Sequence, residues 1–227
     1  MSVEPSVSDV AVLIADKSRA AILESLMNGK SYTASELANQ AKITIQTASS
    51  HLAKLVEGKL LAVEKHGRYR YYRLASVEVA EMIEMLSSFA PTPKVQSLKE
   101  SRTKDSIYYA RTCYDHLAGT LGVNWTQYLL DNSFIIEKER DYVTTQTGIA
   151  FFENLGINID LLQKKKRAFT RKCLDWSERR YHLAGALGAA ATDYFIENKW
   201  VERNSVNRAL LLTDRGKENF QKLNMNI

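Results

Sequence analysis

The sequence contains few of the residues that mark several common classes of protein. Its 227 residues include only two cysteines and three prolines. Two cysteines cannot form a disulfide framework, which excludes the small disulfide-rich secreted proteins. Scarce proline and few strand-rich runs favour a mainly helical fold. No apolar run approaches the roughly 20 residues that a membrane-spanning helix needs, so no membrane partner is predicted.

Composition favours a folded globular protein, with 45% hydrophobic and 25% charged residues. The net charge is +5 and the isoelectric point is near 9.1, a mild basicity that is compatible with nucleic acid without requiring it. The first ten residues, MSVEPSVSDV, have neither the basic start nor the apolar segment of a signal peptide. We therefore expect a cytoplasmic protein. The chain is long enough for two small domains, each with its own core.

The segment from Thr33 to Glu57 predicts a helix-turn-helix. Thr33 and Glu36 have the spacing of a capping box, and Thr44 begins a second helix. The inward positions of this second helix are Ala48, Leu52 and Leu55. Its other positions carry small polar or basic side chains that suit a DNA major groove, namely Thr44, Gln46, Thr47, Ser50, His51 and Lys54. A polar surface helix of an ordinary bundle is the alternative.

The next segment, Val63 to Leu74, predicts a β-hairpin wing. It alternates in character and has a glycine, Gly67, at its tip. The basic side chains around the tip and its return strand are Lys65, His66, Arg68, Arg70 and Arg73. A basic hairpin beside a groove-reading helix would contact the DNA backbone or an adjacent minor groove. The alternative is an edge strand whose charges prevent it from pairing with other strands.

Three segments taken together resemble the ArsR-type repressors. They are ADKSRAAIL, ITIQTASSHLAKLVEGKLL and HGRYRYYRL, and the resemblance covers roughly residues 8 to 88. It implies a winged helix-turn-helix that forms a homodimer through the first and last helices of this domain. The dimer would bind double-stranded DNA at a palindromic operator, with half-sites about one helical turn apart.

The familiar metal sites of that family are missing from this domain. Where metal-sensing members have paired cysteines, this sequence has SELANQ, and its last helix, VEVAEMIEMLSS, lacks histidine. His51 falls on the family's recognition-helix histidine, which implies a DNA-facing or capping role rather than metal ligation.

The second half of the chain is an internal repeat. Tyr114 to Ile136 parallels Tyr181 to Glu202, and His116 and His182 are 66 positions apart. We predict two winged-helix-like units, each helix-helix-wing-helix, in one compact domain. The predicted domains are a winged helix at 1–90, a linker at 91–105 and a duplicated sensor or dimerisation domain at 106–227. The fold class is mainly α with small β-wings, and the C-terminal domain is helical.

The same tail resembles a branch of ArsR-like regulators that carry an ARTCYDHLAG and a CLDW-x-ERR-x-HLAGALG segment. That branch is often grouped as metal- or toxicant-responsive. The repeated helices of this chain are apolar and rich in alanine and glycine, which favours burial over groove contact.

Candidate sensor residues surround the two cysteines. A mixed metal site could form if the repeats face one another, from Cys113, Asp115, His116, Cys173, Asp175 and His182. Alternatively, the thiols could form a reversible disulfide or react with an electrophile, because nearby cations would favour the thiolate, namely Arg111, Arg171 and Lys172. A third alternative is that both cysteines are buried core residues. The tryptophans and tyrosines could instead line a pocket for an organic effector.

These features predict a homodimeric DNA-binding regulator. We expect a repressor released by an effector, a metal ion or a small molecule, sensed in the C-terminal domain. The sequence has no phosphate-binding glycine loop or paired carboxylates, and Cys113 with His116 is the only nominal nucleophile–base couple, so no enzyme is predicted. A winged helix that binds a protein partner rather than DNA is the remaining alternative.

Overall fold

The computed structural model describes residues 4–91, 94–225 and 227. Its contacts divide the chain into two units, Met1–Ile83 and Glu84–Ile227. Helices and strands in the first unit follow the order α1 Val7–Ala15, α2 Lys17–Ser25, β1 Tyr32–Thr33, α3 Ala34–Gln40, α4 Ile45–Glu57, β2 Leu61–His66, β3 Tyr69–Leu74 and the start of α5 Val77–Phe89. Within the described ranges, no helix combines the length and the apolar character needed to cross a membrane.

The helices of the helix-turn-helix and the helix before it begin at residues whose side chains cap them. Asp16 accepts a hydrogen bond from the backbone of Arg19 and begins α2. Thr33 and Glu36 make the reciprocal capping box at the start of α3. Thr44 accepts from the backbone N–H of Thr47 and begins α4. The predicted capping box and the predicted start of the second helix at Thr44 are confirmed. These local hydrogen bonds satisfy N–H groups that a helix leaves unpaired at its start.

The predicted wing is the hairpin of β2 and β3. Strands β2 and β3 pair antiparallel from Leu61 opposite Leu74 to His66 opposite Tyr69. Gly67 has φ of 60° at the first position of the two-residue turn, a conformation that glycine adopts without steric strain because it has no Cβ atom. Strand β1 adds to the other side of β3, which gives a three-stranded sheet in the order β1-β3-β2.

The second unit continues from the end of α5 into two similar halves. The first half contains α6 Leu98–Tyr109, β4 Arg111–Cys113, β5 His116–Ala118, α7 Thr120–Asp131, β6 Ile135–Lys138, β7 Asp141–Thr144, α8 Gln146–Asn154 and α9 Ile159–Gln163. The second half contains β8 Arg171–Leu174, β9 Tyr181–Ala184, α10 Gly185–Glu197, β10 Val201–Arg203, β11 Leu210–Leu212 and α11 Asp214–Lys222. Apart from α6 and α9, which only the first half has, each half has the order hairpin, helix, hairpin, helix, and the repeat in the sequence reflects this order.

Helices α7 and α10 each pack on a strand of the other half. Helix α10 of the second half packs on β5 of the first, and α7 of the first packs on β9 of the second. The side chain of Thr126 on α7 accepts a hydrogen bond from the backbone of Leu183 on β9, at 2.8 Å. One hydrophobic core runs through both halves and includes Trp125, Phe195 and Trp200. Neither repeat has a complete core without the other.

Two details of the second half differ from the sequence-based prediction. Residues 91–105 were predicted as a linker, but α6 begins at Leu98; Thr92 and Pro93 of that segment lie outside the described residues. Each repeat was predicted to open with a helix, whereas it opens with a short hairpin that places His116 and His182 in strands. The hairpin of β4 and β5 turns through Tyr114 in the left-handed region, φ of 62°. A non-glycine residue in that conformation has no obvious sequence signal.

Candidate DNA interface and a buried cysteine–histidine centre

Helix α4 presents one apolar and one polar face. Ala48, Leu52 and Leu55 are fully buried, as predicted from their spacing. Four predicted DNA-contacting residues of α4 have exposed side chains, namely Gln46, Thr47, Ser50 and Lys54. Amide and hydroxyl groups can donate and accept at base edges, and a lysine can reach a phosphate.

Two other residues predicted to face DNA have structural contacts. Thr44 is exposed, but its Oγ1 is occupied as the N-cap of α4 and lies 2.9 Å from Thr47 Oγ1. His51 is a correction, because its side chain is only 14% exposed and its Nε2 lies 3.7 Å from Asp16 Oδ1. The structure therefore places His51 against the start of α2 rather than on the polar face of α4.

The tip of the wing carries three exposed cations that have no ion pair with the described residues, Lys65, Arg68 and Arg70. Arg68 lies over the ring of Tyr69, 5.0 Å from its centroid. His66 is exposed and lies 3.6 Å from Glu64. Arg73 differs from the prediction, because it pairs with Glu64 at 3.0 Å and its charge is balanced within the sheet.

The C-terminal unit brings the two cysteines and two histidines of the predicted sensor together. Cys113 is opposite His116 in the β4–β5 hairpin, and Cys173 is opposite His182 in the β8–β9 hairpin. All four residues are buried, and one ligand atom from each lies within 4.8 Å of the others. The two Sγ atoms are 3.8 Å apart and the two Nε2 atoms 3.1 Å apart. We call this group the Cys–His centre; its residues could hold a metal ion.

The two aspartates of the predicted metal set lie behind the histidines. His116 Nδ1 is 3.2 Å from Asp115 Oδ1, and a bond from Arg167 also reaches Asp115. Burial opposes ionisation of Asp115, but the hydrogen bonds from His116 and Arg167 lower its pKa. His182 Nδ1 lies 3.2 Å from Asp175 Oδ2, outside hydrogen-bond geometry. The aspartates thus face the far nitrogens of the rings, which corrects their predicted role as ligands.

Asp175 is the most heavily bonded side chain near the centre. Its Oδ1 accepts from Arg111 Nη2 at 2.9 Å and from the backbone and hydroxyl of Ser177. Its Oδ2 accepts from the backbone N–H of Gly119 at 2.7 Å, which ties the loop of the second repeat to α7 of the first. Burial opposes ionisation, yet His182 and the Arg111 guanidinium hold the pKa of Asp175 well below its usual range.

The thiol of Cys113 is not the activated thiolate that neighbouring cations were expected to favour. The contact with Cys173 Sγ and burial raise the pKa of the Cys113 thiol well above its usual value. Arg111 pairs with Asp175, Arg171 lies 3.3 Å from Asp141, and Lys172 lies 3.2 Å from Glu137. Those three charges are therefore balanced by carboxylates, and reaction with an electrophile loses its physical basis.

The tryptophans pack against other side chains, which differs from the effector pocket predicted from the sequence as one alternative. Trp125 and Trp200 are 2% and 6% exposed and pack around Phe195 in the aromatic core. The Arg111 guanidinium carbon lies over the ring of Trp176, 4.1 Å from the ring centroid. The rings of Tyr108 and Trp176 pack edge to face. These rings are core and packing residues.

Comparison with known proteins identifies the family. A family model described as a helix-turn-helix domain matches residues 14–64. YdfF of Bacillus subtilis (strain 168), described as an uncharacterized HTH-type transcriptional regulator, is 48% identical over 224 residues, covering 98% of this chain and 99% of YdfF. The chain belongs to the HTH-type transcriptional regulators. The helix-turn-helix predicted from the sequence is confirmed, and the protein is a DNA-binding transcriptional regulator rather than an enzyme.

Solved structures of similar regulators cover little more than a third of this chain. HlyU from Vibrio vulnificus CMCP6 is 30% identical, covers 37% of this chain and 86% of its own, and has a TM-score of 0.33. Mb0332 from Mycobacterium bovis, a homodimeric winged helix-turn-helix fragment and possible ArsR-family regulator, is 24% identical, covers 39% and 89%, and has a TM-score of 0.35.

Two ion pairs that involve buried residues of this regulator have no signal in the sequence pattern. Arg111 is fully buried, and Asp175, its partner, is 64 positions away. Glu84, in the C-terminal half of α5, is 2% exposed and pairs with Arg208. Burial opposes ionisation of Glu84, but Arg208 and Arg111 lower its pKa. Contacts this distant in sequence become visible only when the hairpins are placed in space.

Proposed function

We propose that this protein is a homodimeric, cytoplasmic repressor that binds a palindromic operator and is released by an effector bound in its C-terminal unit. Helix α4 would read bases in the major groove, and the wing would bind the DNA backbone. The effector would act only through the difference between its affinities for the DNA-competent and DNA-incompetent states.

The observation that carries the DNA contact is the composition of the exposed surface of α4 and the wing. Four of the exposed side chains of α4, those predicted to contact DNA, are the neutral hydrogen-bonding groups Gln46, Thr47 and Ser50 and the cation Lys54. The cations of the wing tip, Lys65, Arg68 and Arg70, then supply positive charge that no carboxylate of the described residues balances in an ion pair. A protein-binding surface of this domain would have no need of such charge, whereas phosphate binding requires it.

Exposed apolar side chains support the homodimer. Helix α1 has the sequence VSDVAVLIA but no buried residue, and Val7 and Val12 are 80% and 65% exposed. On α5, Met85 and Phe89 are 65% and 82% exposed. Apolar helix faces of this kind are normally covered, and a symmetric dimer covers the same surface on both chains. A two-fold axis in the dimer would match the symmetry of a palindromic operator.

Replacing Arg68 and Gln46 separately tests the assignment. We expect Arg68→Ala to weaken binding to all DNA about equally and to reduce the slope of log affinity against log salt by about 1, because one phosphate contact is lost. We expect Gln46→Ala to weaken binding to the cognate site by about 1–3 kcal/mol while affinity for random DNA stays nearly the same. Fluorescence anisotropy with labelled DNA from the gene's own upstream region, and with random DNA, measures both effects.

Lys222→Ala is the matched control, because it removes the same charge from an exposed position of α11. It should leave both affinities and the salt slope unchanged. Equal effects of Arg68→Ala and Gln46→Ala on cognate and random DNA would contradict the assignment of α4 to base reading. Salt-independent binding by the wild type would favour the protein-partner alternative instead.

A further inference from the structure

We propose that the Cys–His centre binds one thiophilic divalent cation, Zn²⁺ or Cd²⁺, through Cys113, His116, Cys173 and His182. The inference deepens the proposed function by naming the chemical class of the effector. Only the regulatory role of the ion rests on that function; the binding site itself stands on the geometry of the four side chains.

The sulfur–sulfur and nitrogen–nitrogen distances are close to those of a tetrahedral site. Zn–S bonds of about 2.3 Å and Zn–N bonds of about 2.0–2.1 Å place two sulfurs about 3.8 Å apart and two nitrogens about 3.3 Å apart around one tetrahedral ion. The Sγ atoms of Cys113 and Cys173 are 3.8 Å apart, and the Nε2 atoms of His116 and His182 are 3.1 Å apart. All four atoms lie within 4.8 Å of one another. The side chains therefore need little rearrangement to bind an ion.

The two histidines point the correct nitrogen at the centre. Each Nδ1 lies 3.2 Å from a carboxylate oxygen, of Asp115 for His116 and of Asp175 for His182. The contact of His116 Nδ1 with Asp115 is a hydrogen bond, whereas that of His182 Nδ1 with Asp175 is outside hydrogen-bond geometry. With its proton on Nδ1, each ring has a lone pair on Nε2 that can bind a metal ion. In the metal-free protein the 3.1 Å contact between the two Nε2 atoms is a hydrogen bond, which needs a proton on one of them. A bound cation would take the place of that proton between the two rings. This arrangement of carboxylate, histidine and central cation is how proteins commonly orient zinc ligands.

Charge balance also favours a divalent ion. Asp175 is balanced by Arg111, and Asp115 is balanced by Arg167. When the ion binds, each cysteine S–H bond breaks, the two protons leave to solvent, and both sulfurs coordinate the ion as thiolates. Two thiolates, two neutral imidazoles and one divalent cation sum to zero charge, which is what a buried site requires. No electron transfer is involved.

The donor set selects the kind of ion and its role. Two thiolates and two imidazoles suit Zn²⁺ and Cd²⁺, whereas Mg²⁺ and Ca²⁺ require oxygen ligands. Four protein ligands close a tetrahedral site and leave no open position for catalysis. Because one Cys–His pair comes from each repeat, the ion would cross-link the two hairpins that carry α7 and α10. Binding would thus couple the halves of the C-terminal unit.

The test uses the full reduced chain, stripped with a chelator, and Co²⁺, Zn²⁺, Cd²⁺ and Mg²⁺ as probes. We expect native mass spectrometry to find one Zn²⁺ or Cd²⁺ per chain and no retained Mg²⁺. Co²⁺ should give the visible absorption of a tetrahedral site with thiolate ligands, and excess Zn²⁺ should abolish it. Zn²⁺ should also protect both thiols from alkylation in the wild type. Absence of stoichiometric binding, or alkylation at the same rate with and without Zn²⁺, would overturn the proposal.

Two variants locate the site. The double variant Cys113→Ser, Cys173→Ser should lose the Co²⁺ absorption and the bound Zn²⁺. Asp115→Asn keeps all four ligands but removes a positioning residue, so it should still bind one ion per chain, about 10–100-fold more weakly in a chelator competition. Unaltered metal affinity in both variants would overturn the ligand assignment. DNA is absent from these measurements, so their failure is distinct from a failure of the proposed repressor function.

Discussion

Asp175→Asn lowers the free energy of unfolding of the C-terminal unit by about 3–5 kcal/mol, the usual cost of removing one partner of a buried ion pair. The side chains of Arg111 and Asp175 are both fully buried, so the variant leaves the guanidinium charge without its counterion. An asparagine NH₂ group would also face donors, because every neighbour of the two carboxylate oxygens donates, including Gly119 and Ser177.

Urea unfolding followed by tryptophan fluorescence measures this loss selectively. All three tryptophans, Trp125, Trp176 and Trp200, are in the C-terminal unit. Asp214→Asn is the matched control, because Asp214 pairs with Lys217 but is 94% exposed. An exposed pair contributes at most about 1 kcal/mol, so this variant should unfold nearly like the wild type. Equal unfolding midpoints for the two variants would contradict the role assigned to Asp175.

The pH dependence of unfolding checks the same pair independently. The folded-state pKa of Asp175 is below its usual value, and the unfolded value is about 3.9. The stabilisation is therefore complete above about pH 4 and is lost as the pH falls toward the folded pKa. We expect the difference in stability between the wild type and Asp175→Asn to shrink as the pH is lowered below about 4.

Gly188→Ala should lower the stability of the C-terminal unit by about 1–3 kcal/mol, the range for overfilling a packed site. A Cβ atom at Gly188 would lie 2.3 Å from the carbonyl oxygen of Leu183 and 3.4 Å from His116 Cβ. The contact with backbone cannot be relieved by rotating a side chain. Helix propensity alone predicts the opposite sign, since alanine is favoured over glycine by about 1 kcal/mol inside a helix.

Gly122→Ala tests the same contact in the other repeat. Its Cβ would lie 2.6 Å from the carbonyl oxygen of Leu117, so a loss of similar size is expected in urea unfolding. Stabilisation by either substitution would show that the helices α7 and α10 do not require glycine for their close approach to the hairpins.

The N-terminal unit was predictable because its signals are local. The Thr33–Glu36 capping box and the glycine at the wing tip each lie within a few residues of the contact they make. The partly buried position of His51 also has a local signal in the sequence. His51 is three residues after Ala48 and four before Leu55, so helical spacing places it beside the buried positions rather than opposite them.

The Cys–His centre was only partly predictable. The repeat in the sequence places each cysteine before an equivalent histidine, which indicated the four residues. It could not show that the histidines lie in strands, because three-residue strands such as His116–Ala118 run directly into an apolar helix pattern. It also could not show that Arg111 and Asp175 are partners, because no local rule connects residues 64 positions apart.

The most direct test of the account is the affinity of the full chain for its own upstream DNA with and without Zn²⁺ or Cd²⁺, measured by fluorescence anisotropy beside random DNA. We predict specific binding by the metal-free wild type and an affinity that falls by about 5–150-fold when the ion is bound, the range of ordinary allosteric coupling. The Cys113→Ser, Cys173→Ser variant should bind the same DNA and show no such fall. Identical metal responses of the two proteins would contradict the Cys–His centre as the effector site, and no preference over random DNA would contradict the proposed operator.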